Sequence, residues 1–63
     1  MTLKRLLDKV SFETYVHIIE AHDDEMLFMG HNIKVDENLL HFEVEQFSAN
    51  SYNVLEIYIN TLS

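Results

Sequence analysis

An α+β fold follows from three features of this chain: one short helical stripe at its start, and two later pairs of apolar, β-branched and aromatic runs, each pair broken by polar residues. The expected architecture is an N-terminal helix packed on a mostly antiparallel four-stranded sheet of two hairpins, ordered helix, hairpin, connector with a short helix, hairpin. Sixty-three residues make a single domain, residues 1–63, because a chain this size has no room for a second core.

The helix comes from residues 2–10, TLKRLLDKV, where Leu3, Leu6, Leu7 and Val10 recur at i, i+3, i+4 and i+7. Thr2 is the expected N-cap. The first hairpin is YVHIIE and MLFM around His22-Asp23-Asp24-Glu25, a break without the Asn-Gly or Asp-Gly pair of the tightest turns. In the first strand Tyr15, His17 and Ile19 share one face, and Val16, Ile18 and Glu20 the other. Gly30, the only glycine, is expected to end the second strand where a positive φ or close packing is needed. Residues 31–41 mix an alternating start with the helix-like Asp36 to Leu40, which predicts a connector holding a short helix. HFEVEQF and VLEIYIN, around the polar SANSYN, make the second hairpin. Pairing Val44 with Ile57 and Phe42 with Ile59 gathers its apolar residues on one face. Leu3, Leu6, Leu7, Val44, Leu55 and Ile57 are the expected core.

Composition narrows the function classes. There is no Cys, hence no disulfide and no thiolate metal site, and a cytoplasmic setting is the default. No apolar run is long enough to span a membrane, and the beginning lacks the apolar core of a signal peptide. Lys4, Arg5 and Lys9 against Asp8 leave the first ten residues at +2, whereas Lys34 alone stands against ten acids beyond them, leaving −9. Such a surface repels phosphate backbones and attracts basic partners, so no direct nucleic-acid binding is expected.

The predicted register puts Glu43, Glu45 and Phe47 beside Val54, Glu56 and Tyr58, with Glu45 directly opposite Glu56. Like charges across a ladder repel, so the face suits a basic partner whose arginines pair with carboxylates and stack on rings. Glu43, Glu45, Phe47, Glu56 and Tyr58, with Asp23, Asp24 and Glu25 of the acidic turn, are the candidate partner-binding residues. The competing reading is a solvated face with incidental aromatics. The first strand is apolar on both faces, yet one helix and a short connector cover only one side of a sheet. Tyr15, His17, Ile19 and Phe28 are therefore the candidate interface of a homo-oligomer, most simply a dimer.

Reactive constellations are absent from the pattern. His17 and His22 differ in strand parity, neither His31 nor His41 forms a short-range pair with them, and no metal-binding motif is present, so no metal or cofactor is expected. The acidic turn lacks the ligand spacing and glycine of a calcium loop. No nucleophile stands beside an oriented base, one glycine cannot cradle a phosphate, and so small a chain can hardly enclose a dry cleft, so the chain is expected not to be an enzyme.

The succession LKRLLDKV, TYVHIIEAHDDEMLFMG and ENLLHFEVEQFSANSYNVLEIYI resembles the small acidic proteins encoded in phages and prophages of Gram-positive bacteria. Their pattern is an "L..LL..V" helix, a "V.I....DE.LF.G" hairpin and a terminal "LL..EV..(F/I)SA....L.I.I" hairpin. The resemblance covers nearly the whole chain through apolar and turn positions and carries over no catalytic motif; Met29-Gly30-His31 and the long Ser48 to Asn53 loop depart from it. It implies a phage accessory protein acting in the bacterial host cytoplasm, in a class that includes inhibitors of bacterial defence, anti-CRISPR proteins among them. The leading expectation is a non-enzymatic inhibitor that covers the basic nucleic-acid-binding site of a defence protein, such as a nuclease. Its rivals are a small oligomeric module that captures a small ligand or signalling nucleotide at a subunit interface, and a structural phage adaptor.

Overall fold

The computed structural model describes residues 1–50 and 52–62. The chain runs through α1 (Leu3–Leu7), β1 (Tyr15–Glu20), β2 (Met26–His31), two 3-10 turns (Asn32–Lys34 and Glu37–Leu39), β3 (Glu43–Ala49) and β4 (Leu55–Asn60). The strands form one sheet in the order β2-β1-β4-β3. Each hairpin is antiparallel, and the hairpins meet through a parallel β1–β4 pair at the centre. This is the expected α+β architecture, with the short helix of the connector realised as the two 3-10 turns.

Five residues of helix are too few to persist alone, so the tertiary structure must satisfy α1's ends. At the N-terminus Leu3 N donates to Phe42 O at 2.8 Å and Lys4 N to Leu40 O at 3.0 Å, so the connector takes the first two donors. Thr2 fills the predicted cap, its Oγ1 accepting from Arg5 N at 3.4 Å. Beyond the other end, Asn32 Nδ2 donates to the carbonyls of Leu7, Val10 and Ser11 at 3.1, 3.1 and 3.2 Å. The helix is thus shorter than the 2–10 stripe, and one connector amide ties down the turn that continues it.

The core answers which face of β1 the helix covers. Leu3, Leu6 and Leu7 pack with Val16, Ile18, Ile57 and Ile59, all buried, while Val44 and Leu55 of the expected core are partly buried against this cluster. Leu39, Leu40, Phe42 and Val35 extend the covering layer along the connector. Helix and connector together cover one side of the sheet.

Two bulges correct the expected faces. In β3–β4, Val44 lies opposite Ile59 and Gln46 opposite Tyr58, leaving Glu45 as the extra residue. The register is therefore not Val44 with Ile57. Phe42 does not pair with Ile59, because its carbonyl is held by α1 and its N–H by Leu39 O, which takes it out of the ladder. Beyond the bulge the parity reverses, so Phe47 lies opposite Ile57, on the helix side. Ser48, not Glu45, faces Glu56, and the like-charge pair is avoided. In β1–β2, Ile18 faces Phe28 and Ile19 faces Met26, so the extra residue is Leu27, and both Leu27 and Phe28 pack toward the core. Gly30 does not end β2: it lies within the strand without a positive φ, and a Cβ there would meet the Phe28 ring at 3.1 Å. Close packing is the requirement it meets.

Candidate functional site

The side of the sheet away from α1 is open. Partners across a ladder share a face, so this side collects Met26, Met29 and His31 of β2, Tyr15, His17 and Ile19 of β1, Glu56, Tyr58 and Asn60 of β4, and Glu43, Gln46 and Ser48 of β3. At the β2 side the Tyr15 ring meets His17 and His31 edge-on, with centroids 5.8 and 5.4 Å apart. The His31 Nδ1 lies 2.9 Å from Glu13 O, so the neutral tautomer that donates there leaves Nε2 as an acceptor. Met29, opposite His17, is 55% exposed. The β4–β3 side of the same face carries the carboxylate of Glu56 and the Tyr58 ring.

One end of this face is acidic and hollow. Ala21, Asp24, Glu45, Gln46 and Tyr58 line a depression of about 360 Å³. The β1–β2 turn delivers Asp24, which adopts φ 59°, a left-handed conformation that Asp tolerates better than most residues. The β3 bulge delivers Glu45 from the other side. Two carboxylates beside a phenol ring suit a guanidinium, which can pair with one group and stack on the other.

Beneath this end lies Glu20, whose side chain is 2% exposed. Oε1 accepts from His22 N at 2.6 Å and lies 2.7 Å from His22 Nδ1. Oε2 accepts from Thr61 N at 2.7 Å and from the Thr61 hydroxyl. The Thr61 hydroxyl bond is the largest cause holding the carboxyl at about 2, well below its usual 4.5; the two backbone N–H groups and the His22 side chain add to it, and burial opposes it. Glu20 therefore stays ionised and fastens the β1–β2 turn to the end of β4. Its parity with Val16 and Ile18 was the sequence signal for burial, but nothing in the sequence pointed to Thr61, 41 residues away.

The candidate residues fall into three groups. Asp24, Glu45, Tyr58 and Glu56 belong to the open face and its acidic end, with Asp23 and Glu25 exposed on the adjoining turn. Glu43 lies on the open face but is engaged by the Met1 amino group, 3.1 Å from its Oε2. Phe47, half exposed, lies at the β3 edge on the helix side and is separated from the rest. Of the expected self-association residues Tyr15, His17 and Ile19 are together on the open face, where Ile19 is already buried within the chain, whereas Phe28 is on the other. Two surfaces read as separate in the sequence are thus one surface, and only the bulges decide its membership.

Among the described residues, no group of three or more His, Cys, Asp or Glu converges to hold a metal ion. His22 is bound to Glu20, and His41 stacks on Phe42 at 4.1 Å. No described helix is long and apolar enough to cross a membrane. Comparison with family models, with curated proteins and with solved structures matches this chain to none of them.

Proposed function

We propose that this chain is a non-enzymatic, phage-encoded inhibitor that docks its open face and acidic end onto the basic nucleic-acid-binding site of a bacterial defence protein. The observation that carries the reading is that Asp24 and Glu45, from two different hairpins, line one depression with Tyr58 in a chain of net charge −7. A site built to hold nucleic acid presents arginines and lysines, and this surface offers them carboxylates and rings in place of phosphates and bases. Opposite charge speeds the encounter and makes it depend on salt. The phage setting, and with it action in the bacterial cytoplasm, rests on the sequence resemblance.

The test is capture from a bacterial lysate on the immobilised chain, with identification by mass spectrometry and repetition at rising salt. The expected result is retention of a nucleic-acid-binding protein that weakens with salt and is displaced by DNA or RNA. Retention that is constant from low to high salt, or a retained protein whose nucleic-acid binding is unaffected, would count against the reading.

A further inference from the structure

We infer that two copies of this chain join edge to edge through β2, antiparallel about a two-fold axis normal to the sheet, doubling the four-stranded sheet. The sheet has two edges, β2 and β3, and they differ in how they are guarded. An edge strand offers unpaired N–H and C=O groups to any second strand, and charge, bulges and covering segments are the usual defences. β3 has all three. It carries Glu43 and Glu45, the bulge falls at Glu45, and the N-terminal segment lies against it, with Thr2 bridged to Glu43 and Val44 N donating to Met1 O at 2.8 Å.

β2 has one of the three, the bulge at Leu27 near its start, but no charged residue and no proline in MLFMGH, and β1 is its only strand neighbour. Its ladder parity is fixed where Asn32 N donates to Thr14 O at 2.8 Å. Inward and outward residues alternate in an antiparallel pair, so Gly30 turns its backbone groups toward β1, and Met29 and His31 turn theirs away. Neither has another backbone partner among the described residues.

Charge selects the same contact. A chain at −7 repels its copy, and β2 is the strand farthest from the acids of β3 in the sheet order. Antiparallel pairing centred on Met29 brings Phe28 opposite Gly30 of the second copy, both on the helix side and short of the bulge at Leu27. It also aims the Asp23 to Glu25 turn of each copy at the Lys34 end of the other. Under a two-fold Lys34 gives each acidic turn one opposite charge, ahead of Asp36 and Glu37 in the same connector. The gain in buried surface suits a disulfide-free chain of this length, and both open faces remain on one side as a continuous surface.

Sedimentation over a range of concentrations, with amide hydrogen exchange on the same samples, tests the pairing. The expected particle has twice the 7.5 kDa chain mass at micromolar concentration, with Met29 and His31 amides whose protection rises with concentration. Met29→Pro removes an outward N–H without touching the inward ladder, so it is expected to give a monomer with an unchanged far-ultraviolet spectrum. A 7.5 kDa particle at every concentration would overturn the inference, as would a dimer whose Met29 and His31 amides exchange freely. Hydrogen exchange on the unaltered chain decides the matter even if Met29→Pro fails to fold.

Discussion

The two faces of β1 differ by one residue of register and by everything that follows from it. Val16, Ile18 and Glu20 point at the helix and are buried, whereas Tyr15, His17 and Ile19 point at the open side among methionine, imidazole and phenol groups, where Ile19 alone of the three is buried. Both faces of the strand are rich in apolar atoms, so hydrophobicity alone does not tell them apart. The distinction lies mostly in shape: branched aliphatics interdigitate with three leucines of a short helix, and, Ile19 apart, flat or flexible side chains are left on the open side. The one carboxylate on the buried face is tolerated because four hydrogen bonds meet it.

Substitution is expected to separate the faces. Ile18→Ala, deep in the helix-side cluster, should cost about 2–5 kcal/mol in denaturant unfolding, enough to unfold much of the population of so small a domain. Glu20→Gln should follow, because an amide cannot accept all the donors that converge there. Its signature is pH dependence. The Glu20 pKa is about 2 in the fold against an ordinary 4.5, so its stabilisation is complete above 4.5 and is lost as pH falls from there through about 2. The stability gap between the parent and Glu20→Gln should be widest near neutral pH and close below that window; a gap constant down to pH 2 would remove Glu20 from the account.

Asn32→Ala strips three carbonyls of their shared donor and is expected to cost about 1–3 kcal/mol, checked by thermal or denaturant unfolding. Thr2→Ala removes the cap of α1, at about 1 kcal/mol. Met29→Ala on the open face should change stability by no more than about 0.5 kcal/mol. Equal losses at Met29 and Ile18 would erase the contrast between the faces.

Much of this arrangement was legible from the chain. Leu3, Leu6 and Leu7 sit at helical spacing, Thr2 precedes them, and the alternation of β1 assigned its two faces. What escaped were features that alternation cannot express. Val44 and Phe47 are three residues apart yet share the helix side, because Glu45 is extruded between them; Leu27 and Phe28 are adjacent yet both pack toward the core. A strict period of two therefore put Phe47 with the acids and Phe28 with Tyr15. The Asn32 and Glu20 contacts were invisible for another reason: their partners lie far away in sequence, and a polar side chain in a connector gives no sign of which backbone it will meet. The acidic end was half legible, since Asp24, Glu45 and Tyr58 were all candidates, but only the bulge aims Glu45 at the turn.

On the proposed reading the open face and its acidic end serve binding while the helix side supplies stability. Asp24→Asn, Glu45→Gln and Glu56→Gln combined remove three charges with little change in side-chain size, at side chains that line or adjoin the acidic end and take part in no described hydrogen bond. The decisive measurement is lysate capture by this triple variant beside the parent chain, at a temperature where both are folded. An unfolding midpoint unchanged within a few degrees and loss of the salt-sensitive retained protein are expected. Full retention of that protein by the folded variant would contradict the reading.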